Sequence, residues 1–136
     1  MQRTILFFTT LLLAVNAWCA NDVEVEVLAK TSTSWNGAPL PEWQAGKPEI
    51  TLLRIRVAPN TRLGMHKHPM INAGVLISGT LRVTTLDGQV LELQAGDPIV
   101  EVVETWHYGE NAGTEEAEII VFYAGTEGQQ LSIARD

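Results

Sequence analysis

Short runs of alternating apolar and polar residues, each cut off by turn-forming residues, recur along most of the sequence. A period of two is that of a strand with one buried face, and a helix cannot satisfy it. Val23, Val25 and Val27 alternate with Glu24 and Glu26, which predicts a strand there. Ile50 to Val57 alternates with Ile55 and Val57 on one side and Arg54 and Arg56 on the other, and Pro59-Asn60 ends it in a turn. Ile71 to Ile77 is an apolar strand closed by Ser78-Gly79. Leu81 and Val83 alternate with Arg82 and Thr84, and Asp87-Gly88 is a tight hairpin turn into Val90 to Leu93. Ala95-Gly96-Asp97 turns into a strand predicted from Pro98 to Val103, and Ile119 to Ala124 is a further apolar strand. No amphipathic helix longer than a turn or two is visible. Many short strands at such spacing predict a sandwich or a barrel.

Between the first two strand signals, residues 31–48 hold Pro39, Pro41 and Pro48 with Gly37 and Gly46, a loop composition. Trp35 and Trp43 lie in this loop and are expected either to pin it to the barrel or to line a ligand mouth.

The first twenty residues obey a different rule. Met1-Gln2-Arg3 is positive, Ile5 to Val15 is an apolar run of 11 residues, and Ala17-Trp18-Cys19-Ala20 is a zone of mostly small residues. That order is the layout of a secretory signal peptide, and the run is too short to cross about 30 Å of hydrocarbon as a helix. Trp18 before Cys19 argues against a lipid-modified cysteine, so cleavage is expected near Cys19 or Ala20. The expected organisation is a leader at 1–20 and one domain at 21–136, secreted or periplasmic. The mature chain then contains no useful cysteine, and its stability must come from the core.

Composition permits such a core: apolar residues are 46% and charged ones 18%. Without the leader, 8 Lys/Arg face 16 Asp/Glu. That excess of acids disfavours nucleic acid and, after cleavage, anionic membrane surfaces as partners, since both require a basic patch.

The chain has three histidines. His66 and His68 flank Lys67, and on a strand two residues apart point to one face, so the pair can share an ion while Lys67 faces water. From Asn60 to Gly79 the sequence reads NTRLGMHKHPMINAGVLISG, and from Gly96 to Asn111 it reads GDPIVEVVETWHYGEN. These resemble the two motifs of the cupin superfamily. In the first, a Gly precedes His-x-His by five residues, followed by Glu and, six residues on, Gly. His66, His68 and Gly79 match; Asn60 stands at the first Gly and Asn72 at the Glu. In the second, Gly96, His107 and Asn111 match, while Val102 replaces a Pro and Glu104 a Gly. Sixteen residues separate the motifs, typical of compact single-domain cupins.

The resemblance implies an all-β, single-domain cupin: an antiparallel double-sheet barrel of jelly-roll type. It implies one divalent transition metal ion inside, on His66, His68 and His107. Asn72 would be a neutral fourth ligand through its amide oxygen, or would only hydrogen-bond within the barrel. Loss of a carboxylate ligand weakens a site for Mn²⁺ and suits Zn, Cu, Ni or Fe. Glu101 interrupts an apolar strand, although some small cupins with a His-x-His-Pro start carry Glu there. A buried carboxylate is costly unless it meets a cation or donors. Glu101 is therefore a candidate ligand or catalytic base, unless it faces solvent or pairs with Arg54, Arg56 or Arg82. Trp106 and Tyr108 flank His107 and should point away from it.

A metalloenzyme acting on a small organic, possibly anionic, molecule is the first expectation. Oxygenase-type chemistry ranks ahead of isomerase or lyase chemistry. A non-catalytic small-ligand-binding module is the alternative, and a purely structural barrel the third. A homodimer is expected through the Val23–Val27 strand as a pairing edge.

Overall fold

The computed structural model describes residues 23–135. The leader at 1–20 lies outside them. Among the described residues every regular element is a strand, and no helix is long and apolar enough to cross a membrane.

Ten strands form: β1 (Pro48–Val57), β2 (Thr61–Arg62), β3 (His66–Lys67), β4 (Ile71–Ser78), β5 (Thr80–Thr85), β6 (Val90–Gln94), β7 (Pro98–Val100), β8 (His107–Asn111), β9 (Ala117–Thr126) and β10 (Ile133–Ala134). One sheet has the order β1-β9-β4-β7; the other has the order β10-β3-β8-β5-β6, with β2 also on β8. Every strand pairing is antiparallel. This is the all-β, double-sheet barrel that the cupin resemblance implies, within the sandwich or barrel predicted from the strand pattern.

The alternation read from sequence sets which face is buried. Val57, Leu76, Ile119 and Val121 of the first sheet are buried against Leu81, Val83 and Leu93 of the second. Arg54 and Arg56 stay outside, paired with Glu118 at 3.2 and 2.8 Å, and Arg82 pairs with Glu92. The rim of the barrel is shaped by left-handed backbone. Gly79 has φ +74°, and a Cβ there would lie 2.7 Å from the Glu116 carbonyl oxygen. Asn60 and Glu104, at the two positions where the cupin pattern has Gly and this chain does not, also have positive φ (53° each). The pattern's glycines thus mark a backbone requirement, which Asn meets at modest cost and Glu at a larger one. Asn111, fully buried, ties the end of β8 to its surroundings. Its Nδ2 donates to Val57 O and Glu115 O, and its Oδ1 accepts from Gly113 N.

Three local expectations are corrected. Val23 to Val27 is exposed chain with no strand partner, because this segment reaches neither sheet. The strand at Pro98 stops at Val100: Glu101 to Val103 crosses between the sheets, and Val103 bridges His68 on the far side. Trp43 is 75% exposed and pins nothing, whereas Trp35 packs against the core.

Candidate metal centre

His66 and His107 are direct partners in the β3–β8 register, and the His68–Val103 bridge brings the third imidazole beside them. The three ring centroids are 4.6 to 5.1 Å apart. Each Nδ1 meets a main-chain carbonyl: His66 that of Gly64 at 2.7 Å, His68 that of Leu131 at 2.7 Å, His107 that of Thr105 at 2.8 Å. A carbonyl oxygen only accepts, so each Nδ1 carries the proton and each Nε2 is left with its lone pair free. Such outer hydrogen bonds orient metal-binding imidazoles.

The ligating nitrogens all lie within 4.8 Å of one another. Bonds of about 2.0–2.1 Å from one ion bring two nitrogens to at most about 4.2 Å, so a small inward settling of the rings suffices. Burial first, opposed by the carbonyl bonds, lowers the pKa of His68 and of His107 to about 4. Both are therefore neutral near pH 7, the form a metal requires. The donor set, three imidazoles within reach of one another, fits a divalent transition ion of the kind imidazole suits.

Glu101 is buried and immobilised beside the triad. Its Oε1 accepts from Trp35 Nε1 at 3.0 Å and from Val102 N at 2.9 Å. Its backbone nitrogen donates to Asn72 O, and its backbone oxygen accepts from Ser34 Oγ. Only Oε2 remains free, 3.8 Å from His107 Nε2. Burial pushes the Glu101 carboxyl up, against the pull of its two donors. At 3.8 Å the contact with His107 is too long for a hydrogen bond. Glu101 does not join the mutually close cluster of the three imidazoles, so it stands at the edge of the triad. It neither faces solvent nor meets an arginine.

Asn72 is buried, on β4 opposite Tyr123, and lines the same cavity as the triad and Glu101. Its Nδ2 donates to Met70 O at 3.3 Å, which leaves Oδ1 as the free end of the amide. Tyr123 completes this layer, its edge against the His68 ring; burial and then the charge of Glu101 push its phenol up to about 12. Lys67 faces outward to Glu104, and Tyr108 lies under Arg62, as alternation requires. Sequence reasoning missed the Trp35–Glu101 contact and Tyr123. An indole in a Pro/Gly-rich loop gives no period to read, and Tyr123 was legible only as one more apolar strand position.

The cavity measures about 80 Å³. A model of the cupin domain matches residues 53–123, more than half of the 136. The chain belongs to the cupin family. No curated protein matches this cupin. Solved structures share its fold at low identity. A conserved uncharacterised protein with a double-stranded β-helix domain from Klebsiella pneumoniae is 20% identical, over 85% of this chain and 100% of its own, with a TM-score of 0.54. An oxalate decarboxylase from Lactobacillus farciminis, in complex with formate, is 20% identical over 73% of this chain, with a TM-score of 0.55. A DMSP lyase from Ruegeria pomeroyi is 12% identical over 62% of it, also with a TM-score of 0.55. The cupin spans 34% and 42% of the length of these two enzymes, and 41% of an oxalate oxidase that it also resembles. Trp35 lies outside the matched region.

Proposed function

We propose that this cupin is an exported metal-dependent enzyme that moves a proton on a small organic molecule. Its ion would sit on His66, His68 and His107, with Asn72 offering its amide oxygen as a weaker further ligand. A divalent ion bound there supplies Lewis acidity. The observation that carries the proposal is Glu101 Oε2: a free oxygen at the edge of the triad, on a carboxyl group whose other oxygen, Oε1, is held by Trp35 and Val102. A carboxyl with a raised pKa, in reach of a bound molecule, is equipped to take a proton and return it. The solved structures named as an oxalate decarboxylase and a DMSP lyase lend the proposal the precedent of small-molecule chemistry on this fold. Isomerase and lyase chemistry at an acidic carbon begins with such a proton transfer, and a lyase then expels a leaving group with the electron pair. Export follows from the leader-like order of Met1 to Ala20.

The test is reconstitution. Protein loaded with Zn²⁺, Fe²⁺, Cu²⁺, Ni²⁺ or Mn²⁺ in turn should bind close to one ion per chain. The loaded forms are then assayed for oxygen uptake and for turnover of small carboxylic, keto and hydroxy acids. Oxygen uptake separates an oxygenase from an isomerase or lyase. Failure of every ion to bind better than to His66→Ala/His68→Ala/His107→Ala protein would overturn the proposal. Mass spectrometry of the exported form should show a chain that lacks about the first 19 or 20 residues.

A further inference from the structure

Resting on the reading of Glu101 as the proton carrier beside the metal, we infer that Trp35 is the positioning residue that keeps it one. Its indole N–H holds the carboxyl group out of the ion's ligand set. Without that bond Glu101 becomes a ligand and ceases to be a base.

The distances make such a restraint necessary. Two ligands on one ion can stand up to about 4.2 Å apart, from bonds of about 2.0–2.1 Å. Glu101 Oε2 is 3.8 Å from His107 Nε2, inside that span. Yet the carboxyl group does not join the cluster of imidazole nitrogens. A short swing of the side chain separates the two arrangements, and a buried carboxylate gains by meeting a cation. Two donors to Oε1 oppose the swing: Trp35 Nε1 at 3.0 Å and Val102 N at 2.9 Å. Val102 is the next residue, and its N–H comes with the Glu101 backbone. Of the two donors, only Trp35 comes from a distant segment.

That segment is fixed in its own right. Residues 32–40 turn back on themselves: Leu40 N donates to Ser32 O, Ser34 N to Ala38 O and Gly37 N to Ser34 O. Gly37 supplies the left-handed backbone of the turn (φ +87°). Two consecutive residues then fasten the turn to the end of β7 with three bonds. Trp35 N donates to Val100 O at 2.9 Å, Ser34 Oγ to Glu101 O at 2.9 Å, and Trp35 Nε1 to Glu101 Oε1. Ser34 is buried, and the indole packs against the core. An indole has one N–H with one direction. Here it is aimed at Oε1, which leaves Oε2 on the side of His107. Ser34 and Trp35 both precede the residues matched to the cupin domain, 53–123, so the restraint is added to the barrel by the segment before it.

The experiment measures Co²⁺ affinity by competition with a chelator, and records the visible cobalt spectrum, for the unmodified protein, Trp35→Phe, Glu101→Gln and the double variant. Trp35→Phe keeps an aromatic ring against the core and removes the donor. It should bind cobalt more tightly by about tenfold, since the lost bond competed with the ion for one carboxylate and is worth about that in an equilibrium constant. Its cobalt spectrum should change as a ligand is gained. A merely structural role for Trp35 has the opposite sign, because a loosened site binds more weakly. With Glu101→Gln in place, Trp35→Phe should produce neither effect. If Trp35→Phe binds cobalt no more tightly, or the gain persists without the Glu101 carboxylate, the restraint is wrong while the metal centre and the role of Glu101 stand. If Glu101→Gln alone weakens binding and alters the spectrum, Glu101 is already a ligand and its reading as a proton carrier falls as well. Protein that takes up no cobalt would overturn the metal centre itself. Should Trp35→Phe fail to fold, NMR of the unmodified protein decides: the Trp35 indole N–H should stay protected from exchange when Zn²⁺ is added, and its release on metal binding would overturn the inference.

Discussion

Glu101 has a single polar atom left uncommitted, and that sets what its substitution does. Glu101→Gln keeps the shape and can keep Oε1 as acceptor for Trp35 and Val102, but it puts an amide NH₂ where Oε2 stood. Because the carboxylate stands apart from the cluster of imidazoles, metal content should stay near one ion per chain. Turnover should fall by about 10²–10⁴, the usual worth of a positioned base. A large loss of bound metal would instead make Glu101 a ligand. His68 and His107 govern a different pH response from the one that free imidazole suggests. An ordinary pKa of about 6.5 predicts sensitivity to acid from that pH downward. In the fold both rings resist protonation until about pH 4. The unfolded chain takes up these protons near pH 6.5 and the folded chain only near 4, so the unfolded state binds more protons in between. Their contribution to stability is complete above about pH 6.5 and is lost as pH falls towards 4. Each ring's shift is worth on the order of 3 kcal/mol, so metal-free protein should lose more than that across the window, read as a falling urea midpoint. A midpoint that is flat from pH 6.5 to 4.5 would contradict the neutral, buried imidazoles.

At the scale of elements, the strands with a buried face and a wet face were legible. Ile55, Val57, Leu81 and Val83 point inward, and Arg54, Arg56 and Arg82 outward, because a period of two leaves one assignment once a core exists. The two-residue strands β2 and β10 were not, since two residues carry no period. Nor was the arrest of β7 at Val100: PIVEVV reads as one strand, and only the crossing to His68 ends it. The histidine triad was legible through the motif spacing, but the three carbonyl partners that orient it were not, because main-chain acceptors leave no mark in a sequence. The departures at Asn60 and Glu104 became intelligible only with their backbone angles. Asn111, by contrast, keeps the pattern and shows why. It satisfies two carbonyls and one N–H at the closed end of the barrel. Asn111→Ala should cost about 2–4 kcal/mol, since it strands buried backbone groups as well as removing bonds. Asn111→Asp should not rescue it, because a carboxylate presents an acceptor to Val57 O and Glu115 O. Denaturant midpoints of the two variants check this; an Asp variant as stable as the parent would refute it.

For the whole molecule, the open question is what covers the outside of the β1-β9-β4-β7 sheet. Its outer face carries Arg54, Arg56 and Glu118 at one end and apolar side chains at the other. Ile50, Leu52 and Phe122 point outward and are exposed, with Leu52 and Phe122 opposite each other in register. Beside them runs a shallow groove formed by Ala73, Val75, Pro98 and Ile120, with Leu28 and Ala29 along it. Leu28 and Ala29 continue directly from Val23 to Val27, whose three valines are 70–83% exposed and whose backbone has no strand partner. An alternating Val/Glu segment has the composition of a strand and here lacks a sheet, and the face next to it has apolar surface and lacks a cover. A second copy of the chain supplies both at once, its own segment and sheet meeting these in the two-fold manner usual for small oligomers. The expected state is therefore a homodimer, giving twice the chain mass by light scattering at tens of micromolar. Leu52→Glu should return it to monomers without altering metal content, because Leu52 faces away from the triad. Val25→Lys should weaken the dimer as well if the segment takes part, and leave it intact if the sheet faces alone make the contact. A monomer mass for the unmodified protein would count decisively against the dimer and would leave the apolar outer face to a different partner.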